Sequence, residues 1–257
     1  MDAEPKNRWV ATRCGEHVVP VNGSVTDVNG GGGNVDKDGD YILAISWQPG
    51  FCETKPDKPE CRTQTEERFD ASHFTLHGLW PQPRNNVYCH VSPTEVSKDK
   101  NRRWSELSEL TLDVDTREEL NKVMPGTQSF LHRHEWIKHG TCYNGESPEI
   151  YFHDSLGIVD EFNADASEVR TLFAENIGQE ITAEQIHEAF ENSFGDGAGD
   201  KIKISCKKDG NRNLITEITV SLNGDLGRIP VSQAIMNAKS AKNIGCTAGI
   251  VDPVGLQ

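Results

Sequence analysis

The sequence predicts an α+β domain, an antiparallel sheet core packed with several helices, over residues 41–257, behind a polar segment at 1–40. Three observations predict it. Apolar runs of strand length come first, at 41–47 and 74–77. Segments with helical spacing fill 115–194. Two alternating segments, 201–206 and 214–222, then read as an antiparallel pair. Strands, then helices, then strands is the order of an α+β domain and not of a βαβ series. A chain of 257 residues can build one large core.

Residues 1–40 read as loop, with four glycines at 30–33 among Asn and Asp. Asp36-Lys37-Asp38-Gly39-Asp40 looks like the start of a calcium loop. Its sixth position should be Gly and is Tyr41, and its twelfth should be Glu and is Trp47. It reads instead as a solvated turn into the first strand. That strand, 41–47, ends at Pro49-Gly50, and a polar loop follows at 53–68. The second strand, 74–77, is stopped by Gly78 and Pro81. Helices are expected at 115–124, before Pro125-Gly126, and at 130–139, closed by Gly140. Further helices are expected at 148–162, 167–176 and 182–194. The last has Thr182 and Gln185 as a capping box and Gly195 as its stop. The acidic residues at 180–191 read as its solvated face. Trp47, Trp104 and Trp136 read as core aromatics.

Net charge is −14. That excludes indiscriminate coating of nucleic acid, which needs a broad basic surface, and leaves room for a locally basic cleft. No apolar run is long enough to span a membrane. The N-terminus lacks the apolar core of a signal peptide, so an exported form would be the mature chain. The seven cysteines, at 14, 52, 61, 89, 142, 206 and 246, contain no CxxC pair. Scattered at long spacing, they suit disulfides in an oxidising compartment, with one thiol left over and the pairing open.

Two histidine segments carry the chemistry: Phe74-Thr75-Leu76-His77-Gly78-Leu79-Trp80-Pro81 and His134-Glu135-Trp136-Ile137-Lys138-His139-Gly140-Thr141-Cys142. On a helix, residues four apart share a face, which pairs Glu135 with His139 and His134 with Lys138. A zinc HExxH site does not fit. The fifth position is Lys138, and the second histidine falls about 140° round the helix from the first. Imidazoles can give and take protons near neutrality, and Lys138 can stabilise charge on a phosphate in transit. No serine or cysteine stands in a nucleophile motif. The set suits phosphoryl transfer in which the substrate brings the nucleophile, as RNA does with its 2′-OH.

Both segments resemble the two active-site signatures of the ribonuclease T2 family, in order and separation. The likeness runs from about Tyr41 to Cys246 and includes Ser46-Trp47, Phe51-Cys52, Ile204-Ser205-Cys206 and Glu217-Ile218. It looks closest to bacterial periplasmic or secreted members. The resemblance implies a metal-independent, cofactor-free endoribonuclease acting as a monomer on single-stranded RNA through 2′,3′-cyclic phosphates. It implies His139 as general base and His77 as general acid. Lys138 and Glu135 would stabilise the phosphorane, and His134 would bind the phosphate. Trp80, with Tyr88, would bind the base, and Gln82 stands where some members carry an acidic base reader. It also implies the bridges Cys89–Cys142, Cys206–Cys246 and Cys52–Cys61, with Cys14 left over. The alternative is a catalytically silent RNA-binding module on the same fold, which should have lost one of the histidines. Both are present.

Overall fold

The computed structural model describes residues 39–257. The glycine run, Asp36–Asp38 of the calcium-loop look-alike, Cys14 and His17 lie outside the described residues. Strand β1 (Gly39–Ser46) leads into helix α1 (Gln48–Thr54), then α2 (Pro59–Arg62) and β2 (Thr75–Pro81). Helices α3 (Pro93–Lys100), α4 (Val114–Val123), α5 (Leu131–Lys138), α6 (Pro148–Asn163) and α7 (Glu168–Glu175) follow. The chain closes with β3 (Glu180–Thr182), α8 (Ala183–Phe194), β4 (Ile202–Asp209), β5 (Arg212–Gly224), α9 (Val231–Asn237) and β6 (Ala248–Ile250).

The α+β architecture is as the sequence predicts. The sheet runs β2-β1-β5-β6-β3, with β4 also on β5. The β2-β1, β1-β5 and β4-β5 pairs are antiparallel, and β6 adds a short parallel contact at Leu214–Ile250. Leu43, Ile45, Ile218 and Val220 are fully buried and belong to one core with Phe152, Phe162 and Phe173. The capping box of α8 forms as expected, with Thr182 and Gln185 bonding each other's backbone.

One irregularity positions the site. Ala44 pairs with Gly78 and Ile45 with Leu76, so His77 is the extra residue of a β-bulge. Leu76 and Leu79 are both buried although they stand three apart. Strict alternation cannot bury both from one strand. The bulge resolves the conflict and turns His77 off the core face. The register also shifts between Ser205 and Cys206, leaving Thr216 of β5 as the extra residue.

Several expectations are corrected. Gly78 does not stop β2, which continues through it to Pro81. Pro49-Gly50 is not a turn but the first part of α1, where a proline without an N–H costs nothing. The loop expected at 53–68 contains the end of α1 and all of α2. Helix α5 is shorter at both ends than 130–139: Phe130 is left-handed, with φ 63°, and His139 is the C-cap. Among the described residues no helix is long and apolar enough to cross a membrane.

Among the described residues three disulfides form, Cys52–Cys61, Cys89–Cys142 and Cys206–Cys246, the pairing the resemblance implies. The second ties the loop after β2 to the turn that follows α5.

Candidate active site

Strand β2 and helix α5 face each other across Gly78. A Cβ on Gly78 would stand 2.0 Å from Glu135 Oε2. Only glycine leaves room for the carboxylate at that point of the strand. Glu135 is 1% exposed. It accepts a 2.8 Å hydrogen bond from the Trp80 indole N–H. Its other oxygen lies 3.7 Å from His77 Nε2 and 3.6 Å from His134 Nε2. A buried carboxylate therefore stands between two imidazoles. The helical spacing pairs Glu135 with His139, but the structure turns its side chain to Trp80, His77 and His134, because His139 has left the helix at its C-cap.

Each of those two imidazoles has a second carboxylate on its far side. His77 Nδ1 is 2.6 Å from Glu217 Oε2, on β5. His134 Nδ1 is 2.6 Å from Asp99 Oδ1, in the last turn of α3. Tyr88 donates its hydroxyl to the other oxygen of Asp99 at 2.8 Å, and its backbone N–H donates to Lys138 O at 2.9 Å. Burial opposes ionisation of Asp99, but the hydrogen bond and charge of His134, with the Tyr88 hydroxyl, hold its pKa below the ordinary value.

The two histidines of the motifs have opposite surroundings. Burial would lower the His77 pKa, but the hydrogen bond it donates to Glu217 and the charges of Glu135 and Glu217 outweigh burial and Lys138, so it is raised. His139 is 9% exposed, and its Nδ1 is buried with no hydrogen-bond partner. Burial, then the positive charges of Lys138, His134 and His77, lower its pKa to about 3. The surroundings thus favour the protonated form of the His77 ring and the neutral form of the His139 ring. The Trp80 ring sits between them, edge-on to His77 at 5.4 Å and tilted against His139 at 5.5 Å.

Beside this cluster opens a cleft of about 980 Å³, lined in part by His77, Tyr88, His134, Lys138 and Glu217. Seven cations line it: Lys55, Lys58, Lys100, Arg102, Lys138, Lys203 and Lys207. Among the described residues, three acidic ones do: Glu60, Asp99 and Glu217. The cleft is thus locally basic in a chain of net charge −14. A polyanion is attracted to this mouth although the chain as a whole is acidic.

The structure brings His77, Trp80, His134, Glu135, Lys138 and His139 together, with Tyr88 on the cleft wall. Sequence reasoning missed Glu217 and Asp99, and it read Trp104 as core. Trp104 is half-buried, stacks on His134 at 4.5 Å and lines the cleft. The one sequence signal for the turned His77 is the three-residue spacing of Leu76 and Leu79.

The family model described as the Ribonuclease T2 family matches residues 39–244. This chain belongs to the ribonuclease T2 family. Ribonuclease I of Escherichia coli (strain K12) is 32% identical over 213 residues, covering 75% of this chain and 78% of that protein. A ribonuclease of Aeromonas hydrophila is 33% identical over 134 residues, about half of each chain (52% and 49%). Among solved structures, Actibind, described as a T2 ribonuclease, superposes with a TM-score of 0.53 at 16% identity, covering 85% of this chain and 89% of that one. That likeness shows the shared fold. Family membership makes this chain a T2-type endoribonuclease.

Proposed function

We propose that the chain cleaves single-stranded RNA by transesterification, with His139 as base and His77 as acid. The observation that carries this reading is the opposite surroundings of the two rings. His77 lies against two carboxylates. His139 is buried near positive charge. In the step, neutral His139 takes the proton of the ribose 2′-OH, and the 2′-oxygen attacks its own phosphorus. The P–O5′ bond breaks as His77 gives its proton to the leaving 5′-oxygen, and a 2′,3′-cyclic phosphate remains. Lys138 and Glu135 stabilise the phosphorane, the lysine by its charge and Glu135 by holding two imidazole Nε2 atoms beside it. His134 binds the phosphate. Trp80 and Tyr88 bind the base. Tyr88 lines the cleft, and Trp80, held by its indole N–H on Glu135 and lying against both His77 and His139, supplies the aromatic ring beside the reacting groups.

The three disulfides suit an oxidising compartment, and we place the protein in the periplasm or outside the cell. Single-stranded RNA is the partner, and no cofactor enters the steps. The test is alanine substitution. His77→Ala and His139→Ala should each lower the cleavage rate by about 10²–10⁴-fold, the usual worth of a positioned acid or base, while the melting transition is retained. A variant that keeps more than about a tenth of the wild-type rate overturns the role given to that histidine.

A further inference from the structure

Glu217 belongs to neither motif. It sits on β5, 140 residues from His77, paired across the sheet with Ser46 of β1 and Ser205 of β4. Both neighbours are small, so its carboxylate stands clear of the strands and lines the cleft. Two bulges meet here. One turns His77 out of β2, and the other makes Thr216, just before Glu217, the extra residue against β4. The result is a 2.6 Å contact from Glu217 Oε2 to His77 Nδ1. Glu135 faces the same ring from α5 but at 3.7 Å, beyond hydrogen-bond length. Among the described residues, the other charged or titratable groups near this ring are Lys138, His139 and, across Glu135, His134, all from the α5 segment. Trp80 adds an uncharged ring edge-on.

We propose that Glu217 is the positioning residue of the acid, fixing the His77 ring by its Nδ1–H and presenting a protonated Nε2 to the leaving 5′-oxygen. The inference rests on the reading of His77 as acid. A carboxylate on Nδ1 commits that nitrogen as a donor and so decides which nitrogen faces the substrate. Its charge also keeps the ring protonated at pH values where a free imidazole has lost its proton.

The test is Glu217→Gln, which keeps the shape and a hydrogen-bond acceptor and removes the charge. Wild type, Glu217→Gln and His77→Ala are compared on an RNA oligonucleotide and on uridine 3′-(4-nitrophenyl phosphate). The aryloxide of the second substrate leaves without a proton. With RNA, the alkaline limb of the kcat/KM profile should move down by about one pH unit or more in Glu217→Gln, costing about tenfold in rate per unit above the limb. With the aryl ester, the rate should stay within about threefold of wild type. The His77 imidazole, titrated by NMR in the same variant, should show a lowered pKa whatever the activity. An unmoved limb with an unmoved imidazole pKa overturns the inference, as does an equal loss on both substrates at every pH, the mark of a purely structural contact. His77→Ala separates the two levels. If it too loses equally on both substrates, the acid assignment itself fails. If it spares the aryl ester while Glu217→Gln does nothing, only the inference about Glu217 fails.

Discussion

Gly78→Ala tests the closest packing in the site. The added Cβ would stand 2.0 Å from Glu135 Oε2, 2.7 Å from its Cδ and 2.7 Å from the Trp80 indole nitrogen. Contacts that short cannot persist. At 1% exposure, Glu135 has no solvent to swing into. The carboxylate must therefore retreat by about 1 Å or more from its place between the two imidazoles, lengthening its 2.8 Å bond from Trp80. Overpacking a filled interior costs about 1–3 kcal/mol, and weakening a buried hydrogen bond to a charged group costs about 1.5–3 kcal/mol. We expect a loss of about 2.5–6 kcal/mol, read as a fall of roughly 5–24 °C in Tm. A displacement of that size at the reacting centre should also lower kcat about 10²-fold. The assays are thermal melting and initial rates on a short RNA, each repeated in a Glu135→Ala background. With the carboxylate gone, adding Gly78→Ala should cost about 1 kcal/mol or less, what remains being the contact with Trp80. An equal penalty in both backgrounds, or a Gly78→Ala protein with wild-type Tm and kcat, would refute the argument that the glycine exists to admit Glu135.

Two further predictions concern pH and redox state. The kcat/KM profile should be bell-shaped, with an acid limb well below 6.5 from His139 and an alkaline limb above 6.5 from His77; an optimum narrowed to one side of 6.5 contradicts the assignment. The signs for stability follow from the same shifts. The His77 contribution is complete below about 6.5 and is lost as pH rises through its raised native pKa. His139 costs stability as pH falls from about 6.5 towards about 3, because the unfolded chain takes up a proton that the native ring does not. Replacing Cys89 and Cys142 by alanine, 53 residues apart, should remove about 4 kcal/mol by the loop-entropy estimate. Melting with and without strong reductant should show a loss of the same order, and a Tm that ignores reductant removes the support for an exported protein.

The second motif was legible because its residues are contiguous. One segment carries His134, Glu135, Lys138 and His139, and no packing need explains such a concentration. Elements with a clear period and caps, such as α8 with its Thr182–Gln185 box, were legible for the same local reason. What could not be read depends on contacts between distant segments. Glu217 and Asp99 look like ordinary solvated carboxylates in sequence. They reach His77 and His134 only through bulged strand pairing and through the packing of α3 on α5. Gly78 looked like a strand stop because its neighbour Glu135 is invisible until β2 and α5 meet. Helix α1 hid behind Pro49-Gly50, where a turn signal and a helix start share the same residues. Strands β3 and β6 have three residues each, too few for a period to be seen.

The central claim is that the substrate's own 2′-oxygen is the nucleophile and that His77 and His139 move the protons. Mass spectrometry of the earliest cleavage products, collected with EDTA present, tests it most directly. The expected product is a fragment ending in a 2′,3′-cyclic phosphate, with 2′-O-methylated nucleotides and DNA of the same sequence left uncut. Cleavage of DNA, or a first product with a 5′-phosphate and a free 3′-OH, would mean that water is the nucleophile and would contradict it.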